Sequence, residues 1–191
     1  MANEFYALLG RMRYITRWGL MRNSFSENIQ EHSHQVAVLA HALALIRRDI
    51  LHLPGPDPDR CAVAALYHDA SEILTGDMPT PIKYYNPEIR SAYKAVEQVA
   101  GERLLDMLPP ELRGSYESYV LENEEDLNPI VKAADKLSAH IKCLEELKAG
   151  NLEFSTAAAQ TLAALEKTGR EEVRWFLDNC LEPFTRNLDQ L

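Results

Sequence analysis

Cys61-Ala62-Val63-Ala64-Ala65-Leu66-Tyr67-His68-Asp69-Ala70-Ser71-Glu72 is the stretch on which the reading of this chain turns. From Cys61 to Tyr67 no residue carries a charge, the pattern of a helix enclosed by others. Three ionisable groups, His68, Asp69 and Glu72, then follow at once. Burying such groups without partners is costly, so they either meet solvent where the helix surfaces or face one another across a site. Just upstream, Asp57-Pro58 sets an N-cap residue before a proline at the first helical position. One central helix over about 58 to 74 is therefore predicted. On such a helix Glu72 leaves one turn after His68 and about 60° of arc from Asp69.

The same punctuation recurs at Asn86-Pro87 and Asn128-Pro129, and Gly150 and Gly169 stand where a left-handed C-terminal cap favours glycine. The chain has 22 Ala and 26 Leu but 8 Val and 9 Ile, so helix formers outweigh strand formers. Helices are expected at about 3 to 13, 28 to 50, 58 to 74, 87 to 107, 110 to 123, 129 to 149, 155 to 168 and 170 to 189, the last bent near Pro183. The expectation is an all-α bundle in one domain, residues 1–191, without internal repeats or a low-complexity linker.

Twenty Lys and Arg against 29 Asp and Glu give a formal net charge of −9, the wrong sign for a nucleic-acid polymer. A small anion remains admissible, because a compact site can carry its own cation. Cys61, Cys143 and Cys180 are odd in number and never paired as CxxC, which excludes a disulfide framework and a zinc ribbon. The longest apolar run, Val36 to Ile46, is broken by His41 and too short to span a bilayer, and no basic segment leads an apolar one at the N-terminus. These features predict a cytoplasmic protein without a membrane partner. Apolar positions on the last helices predict a homodimer.

Outside the central stretch, His32 lies on the stripe through Ile29, Val36, Leu39, Ala40 and Leu43 and should point into the bundle, whereas His34 should point elsewhere. A lone inward His is more often a hydrogen-bonded core residue than a ligand. His41 and His52 have no acidic neighbour in sequence and, with His140, are read as structural. Asp135 follows Ile130 to Ala134 beside the apolar stripe, a spacing that permits an inward carboxylate without demanding one. By itself Arg17-Trp18 reads first as a loop Trp packed on the core beside an exposed cation, and Thr75 to Pro81 as an ordinary Gly and Pro turn.

The combination is more specific than its parts. One His on the second helix, adjacent His and Asp on the third and a distant Asp form the H…HD…D pattern of the HD phosphohydrolases. The chain further resembles the bacterial HD-domain 5′-deoxynucleotidases from about Phe5 to Leu188. The segments are ITRWGLMRN (15–23), ENIQEHSHQVAVLAHAL (27–43), ALYHDASEILTGDMPTPIKYYN (65–86), VKAADKLSAHIKCLEEL (131–147) and the Gly150 to Phe154 turn. The resemblance implies an HD-type helical bundle hydrolysing 2′-deoxyribonucleoside 5′-monophosphates. It implies His32, His68, Asp69 and Asp135 as metal ligands, Glu72 as the essential acid or base, and Arg17 as the group orienting the phosphate. Trp18, Asp77, Met78, Pro79 and Thr80, with Asp69 and Asp135, would contact the nucleotide.

Two neutral imidazoles and two carboxylates around one divalent cation sum to zero charge, and their mixed N and O character suits Co, Mn, Zn or Fe, with Mg less favoured by the imidazoles. Without a cation, Asp69, Glu72, Asp77 and Asp135 would repel one another and any phosphate, so both the metal and Arg17 are needed. Two other readings of the same residues are an HD hydrolase for a triphosphate or cyclic nucleotide, and a helical interaction module whose metal is a structural staple. The first calls for a denser cluster of Lys and Arg than the sequence offers, and the second for a closed coordination sphere.

Overall fold

Asp57 Oδ1 accepts from the Arg60 amide at 3.0 Å and Asn86 Oδ1 from the Ile89 amide at 2.7 Å, so two of the three Asx-Pro signals act as N-caps. The third does not: Asn128 lies within the first turn of its helix and its side chain donates instead to the Glu122 carbonyl. The computed structural model containing these caps describes residues 3–83 and 85–190, apart from the side chains of Thr80 and Pro81. Its helices are α1 (Phe5–Leu9), α2 (Ile29–Leu45), α3 (Pro58–Tyr67), α4 (Glu72–Thr75), α5 (Thr80–Lys83), α6 (Pro87–Leu105), α7 (Pro110–Val120), α8 (Asn128–Lys148), α9 (Ser155–Lys167) and α10 (Glu171–Cys180). Among the described residues there is no β-strand, only an isolated antiparallel bridge between Thr16 and Asn28. The all-α expectation holds.

α2 opens with a capping box, in which Asn28 Oδ1 accepts from the Gln30 and Glu31 amides and Glu31 reaches back to the Asn28 amide. This helix packs against α3 and α8, and α8 against α9. Val36, Ala40 and Leu43 of α2 meet Cys61 and Ala65 of α3 and Ile130, Ala134, Leu137 and Ile141 of α8 in the main core. Each large side chain buried there stabilises the fold by about 1.5–3 kcal/mol. A smaller cluster of Cys143, Phe154 and Ala158 receives Trp18 and Met21 from the loop before α2.

Four expectations need correction. The helix expected over 58 to 74 stops at Tyr67: His68 caps it, the Ala70 and Glu72 amides bond only three residues back, and α4 then starts afresh at Glu72. That helix is also not enclosed, since Val63 and Leu66 are exposed; absence of charge marks an apolar face, not burial on every side. The last helix ends at Cys180, and the chain continues in short 3-10 turns around Pro183 and beyond. α5, a single turn, had no periodic signal. Exposed large apolar side chains lie on α2 and α3 (Val38, Val63, Leu66) and α6 (Val96, Val99); after residue 150 only Leu152 and Leu188 are so exposed among the described residues, so the last helices are not the apolar surface that was expected.

Candidate active site

His32 is fully buried and His34 exposed, as the helical stripe required. Ser138 of α8 donates its Oγ–H to Gln35 Oε1 at 2.8 Å, so it receives the His32 Nδ1–H at 3.1 Å. His68 ends α3, and its Nδ1–H donates to the Ala65 carbonyl at 2.7 Å. A ring whose Nδ1 is thus committed as donor presents Nε2 as the free nitrogen. Both Nε2 atoms are buried without a hydrogen-bond partner. They face carboxylates: His32 Nε2 lies 3.1 Å from Asp135 Oδ1 and 3.6 Å from Asp69 Oδ2, and His68 Nε2 lies 3.1 Å from Asp69 Oδ2.

Two lone-pair nitrogens pointing at acceptor-only carboxylates need a proton or a cation between them. Donor atoms of His32, His68 and Asp135 lie within 4.8 Å of one another, a grouping able to hold a metal ion. The orphaned nitrogens and mixed donor set fit a divalent cation. In the cation-free chain the proton takes that place. Although burial pulls it down, the Asp69 carboxylate raises His68 to about 10, and His68 in turn holds Asp69 near 2 against its own burial. Asp135 is pushed below the usual carboxylate range by His32 despite burial, while burial and then Arg17 lower His32.

Glu72 enters from α4, beyond the turn that follows α3 and holds Asp69. It is 6% exposed, and its Oε2 has no hydrogen-bond partner. Burial, followed by the charges of Asp69 and Asp77, pushes its carboxyl up to about 9. Asp77 follows α4 in a partly exposed turn with Met78 and Pro79, and burial raises its carboxyl while Arg17 lowers it. The Pro79 carbonyl accepts from the Ile82 and Lys83 amides and so closes α5. Thr80 begins that helix, and its side chain lies outside the described residues.

Arg17 is buried beside this cluster. Burial would lower its pKa, but Asp135 and Asp69, then Glu27 and Asp77, raise it. Its Nη1 lies 3.7 Å from Glu27 Oε2 and has no hydrogen-bond partner. Trp18 adopts φ +60, and its ring packs on Phe154 with centroids 5.3 Å apart. The arrangement thus gathers His32, His68, Asp69, Asp135, Glu72, Arg17 and Asp77, and holds Trp18 next to Arg17 against the third cluster. Sequence reading missed Ser138, Gln35, Glu27 and the Lys83–Glu97 ion pair at 2.8 Å, whose ammonium acts on Glu72. Only α8 periodicity could have flagged one of them, because Ser138 stands three residues after Asp135. His41, expected without an acidic partner, has Asp59 at 3.4 Å because α2 and α3 pack side by side. His140 is buried and hydrogen-bonded to Thr161, as a structural residue would be.

Residues 4–184 match the family described as 5′-deoxynucleotidase YfbR-like. A 5′-deoxynucleotidase of Vibrio cholerae is 48% identical over 192 residues, covering 99% of this chain and 98% of that protein. Among solved structures, an HD-domain phosphohydrolase from Listeria innocua superposes with a TM-score of 0.83 at 21% identity, over 97% of this chain and 90% of the other. The cyanophage S-2L HD phosphohydrolase DatZ, bound to dA and one catalytic Zn2+ ion, does so with a TM-score of 0.65 at 19% identity, over 92% and 95%. The fold is the HD phosphohydrolase fold.

Proposed function

The chain belongs to the YfbR-like 5′-deoxynucleotidase family, and from that premise we propose how its residues carry out the family's reaction. The protein is an HD-type, metal-dependent 5′-deoxynucleotidase that hydrolyses 2′-deoxyribonucleoside 5′-monophosphates to deoxynucleoside and phosphate. The observation that carries the assignment of residues is the pair of orphaned Nε2 atoms facing Asp69 and Asp135, with Arg17 Nη1, which has no hydrogen-bond partner, beside them.

His32, His68, Asp69 and Asp135 hold one divalent cation, Co, Mn, Zn, Fe or Mg; the catalytic Zn2+ of the cyanophage neighbour makes zinc one reasonable occupant. When bound, a divalent cation makes water a nucleophile near neutral pH and polarises the phosphoryl oxygen. Arg17 binds the phosphate through Nη1, which no protein acceptor takes. Glu72, whose carboxyl burial and the charges of Asp69 and Asp77 push up in the cation-free chain, serves as the acid that gives a proton to the leaving 5′ oxygen. Asp77 accepts from the sugar 3′ hydroxyl, the Trp18 indole fills the space at the 2′ carbon, and Met78, Pro79 and Thr80 line the nucleotide. The chain acts as a single cytoplasmic HD domain, residues 1–191, and as a homodimer, with no nucleic-acid polymer or membrane as partner; among the described residues no helix is long and apolar enough to cross a membrane.

Phosphate release from a panel of ribo- and deoxyribonucleoside mono-, di- and triphosphates, with Mn, Co, Zn or Mg added, tests this reading. Turnover confined to deoxyribonucleoside monophosphates and dependent on metal is expected. Preference for triphosphates, or turnover unaffected by chelation, would overturn it.

A further inference from the structure

Glu27 lies immediately before the Asn28 cap of α2, in the segment that delivers His32 to the site. Short antiparallel pairing brings residues 15–17 alongside 27–29: the Arg17 amide donates to the Glu27 carbonyl at 2.9 Å, and the Ile29 amide to the Ile15 carbonyl at 3.0 Å. The backbone of Glu27 therefore fixes where Arg17 starts. Its side chain fixes where both neighbours end. Oε2 accepts the Trp18 indole N–H at 3.0 Å and lies 3.7 Å from Arg17 Nη1. All of this occurs out of water, with the Glu27 side chain 10% exposed and that of Arg17 14%.

Two further features show that the arrangement is held in place against its local preferences. Trp18 is a non-glycine residue in left-handed backbone, a conformation that persists only where surroundings impose it. The Trp18 carbonyl accepts from the Met21 amide at 2.9 Å, and Phe154 supports the ring from the other side. Arg17 Nη1, for its part, is near a carboxylate but too far for a hydrogen bond, so the cation is restrained while its N–H stays free for a ligand.

We propose that Glu27 is a positioning residue that holds Arg17 and Trp18 as one unit, coupling phosphate binding to rejection of a 2′ hydroxyl through a single carboxylate. The inference rests on the roles given above to Arg17 and Trp18. It separates two properties of the carboxylate. As an acceptor it orients the indole, and an amide oxygen can replace it there. As a charge it restrains the guanidinium, and an amide cannot replace it.

The test uses the metal-loaded full chain with dAMP and AMP. Glu27→Gln keeps the acceptor and removes the charge, while Glu27→Leu fills the space with neither. For Glu27→Gln, KM should rise about tenfold for both nucleotides, with kcat within about threefold of wild type and the dAMP to AMP ratio of kcat/KM preserved. For Glu27→Leu, the same rise should be joined by a fall of that ratio by at least about tenfold, because the indole is no longer held. Dissociation constants for both nucleotides, measured by calorimetry with each change placed on Glu72→Ala, should follow the same pattern without turnover. If Glu27→Leu does not fold, Glu27→Gln decides alone: wild-type KM and wild-type dissociation constants there overturn the proposal. So does a folded Glu27→Leu that keeps the wild-type ratio. A wild-type enzyme that hydrolyses dAMP and AMP equally would instead remove the sugar-discrimination reading itself, before any Glu27 variant is compared.

Discussion

α8 carries two buried polar clusters, at Asp135 and at Lys142 with Glu146, and they are built in opposite ways. Glu146 is fully buried and saturated: its oxygens accept from Lys142 at 2.5 Å, Asn151 at 2.9 Å and the Ser24 amide at 2.9 Å. Lys142 also donates to the Phe25 carbonyl at 2.8 Å and lies 3.2 Å from the centre of the Phe25 ring. These bonds hold Glu146 down to about 2 although burial pushes it up, and they staple the loop that carries Arg17 and Trp18 onto α8. About two turns away, His32 Nε2, His68 Nε2, Glu72 Oε2 and Arg17 Nη1 are all buried and lack hydrogen-bond partners. A native interior leaves few polar groups unpaired, so four around one point mark a place where a ligand completes the set. The saturated cluster leaves no group open, and the unsaturated one is the site proposed for metal and substrate.

The largest expected effect comes from the unsaturated side. Asp69→Ala should abolish turnover and metal content together, measured by phosphate release and elemental analysis, because a ligand is lost and the remaining charges no longer balance. His32→Ala should do the same and the exposed His34→Ala should not. Full metal and activity in Asp69→Ala would break the contrast at its centre.

Glu72→Gln should retain metal and fold yet lose about 10²–10⁴ in kcat, the range of general acid–base catalysis. It also has a stability signature in the cation-free protein. A folded pKa raised from the ordinary 4.5 to about 9 means that Glu72 favours folding at low pH and that this contribution disappears as pH rises through that window. Glu72→Gln should therefore raise the melting temperature of the metal-free protein at pH 8, by about 4 °C or more, and leave it unchanged near pH 4. Asp69, held near 2, works with the opposite sign and contributes stability that is lost as pH falls toward 2. Equal effects of Glu72→Gln at both pH values would mean that burial does not control this carboxyl.

On the saturated side, Lys142→Met strands Glu146 and should cost about 3–5 kcal/mol in urea unfolding, while stoichiometric metal binding survives in the folded protein. Loss of metal without loss of stability would erase the distinction between the clusters. The smallest effect sits between them, at the stapled loop. Trp18→Ala should narrow the dAMP to AMP ratio by about tenfold to a hundredfold, chiefly by admitting AMP, since an unpaired buried hydroxyl costs about 1–3 kcal/mol. Arg17→Ala should depress both substrates. An unchanged ratio in Trp18→Ala would make the indole a packing residue on Phe154 alone.

Much of this was legible in one dimension. Helix class followed from composition, the starts at Pro58 and Pro87 from Asx-Pro caps, and the inward choice of His32 over His34 from the apolar stripe. The H…HD…D pattern named the cluster before any distance was available. The caps and the apolar stripe depend on residues spaced by a capping bond or a helical turn, while the H…HD…D pattern was legible only as a resemblance.

The tertiary structure decided the rest. Whether Asp135 turned inward was open until α8 packed against α2. The break after Tyr67, which brings Glu72 in from a separate helix, breaks no apolar pattern and so left no periodic trace. Ser138, which fixes the His32 tautomer, is 106 residues away from it, and Glu146, which holds the loop at Ser24, is 122 away. Glu27 touches Trp18 only because two extended segments pair for a few residues. Such contacts depend on the angle and register at which helices and loops meet, set by side-chain volumes across the whole core, and no local window of sequence contains that information.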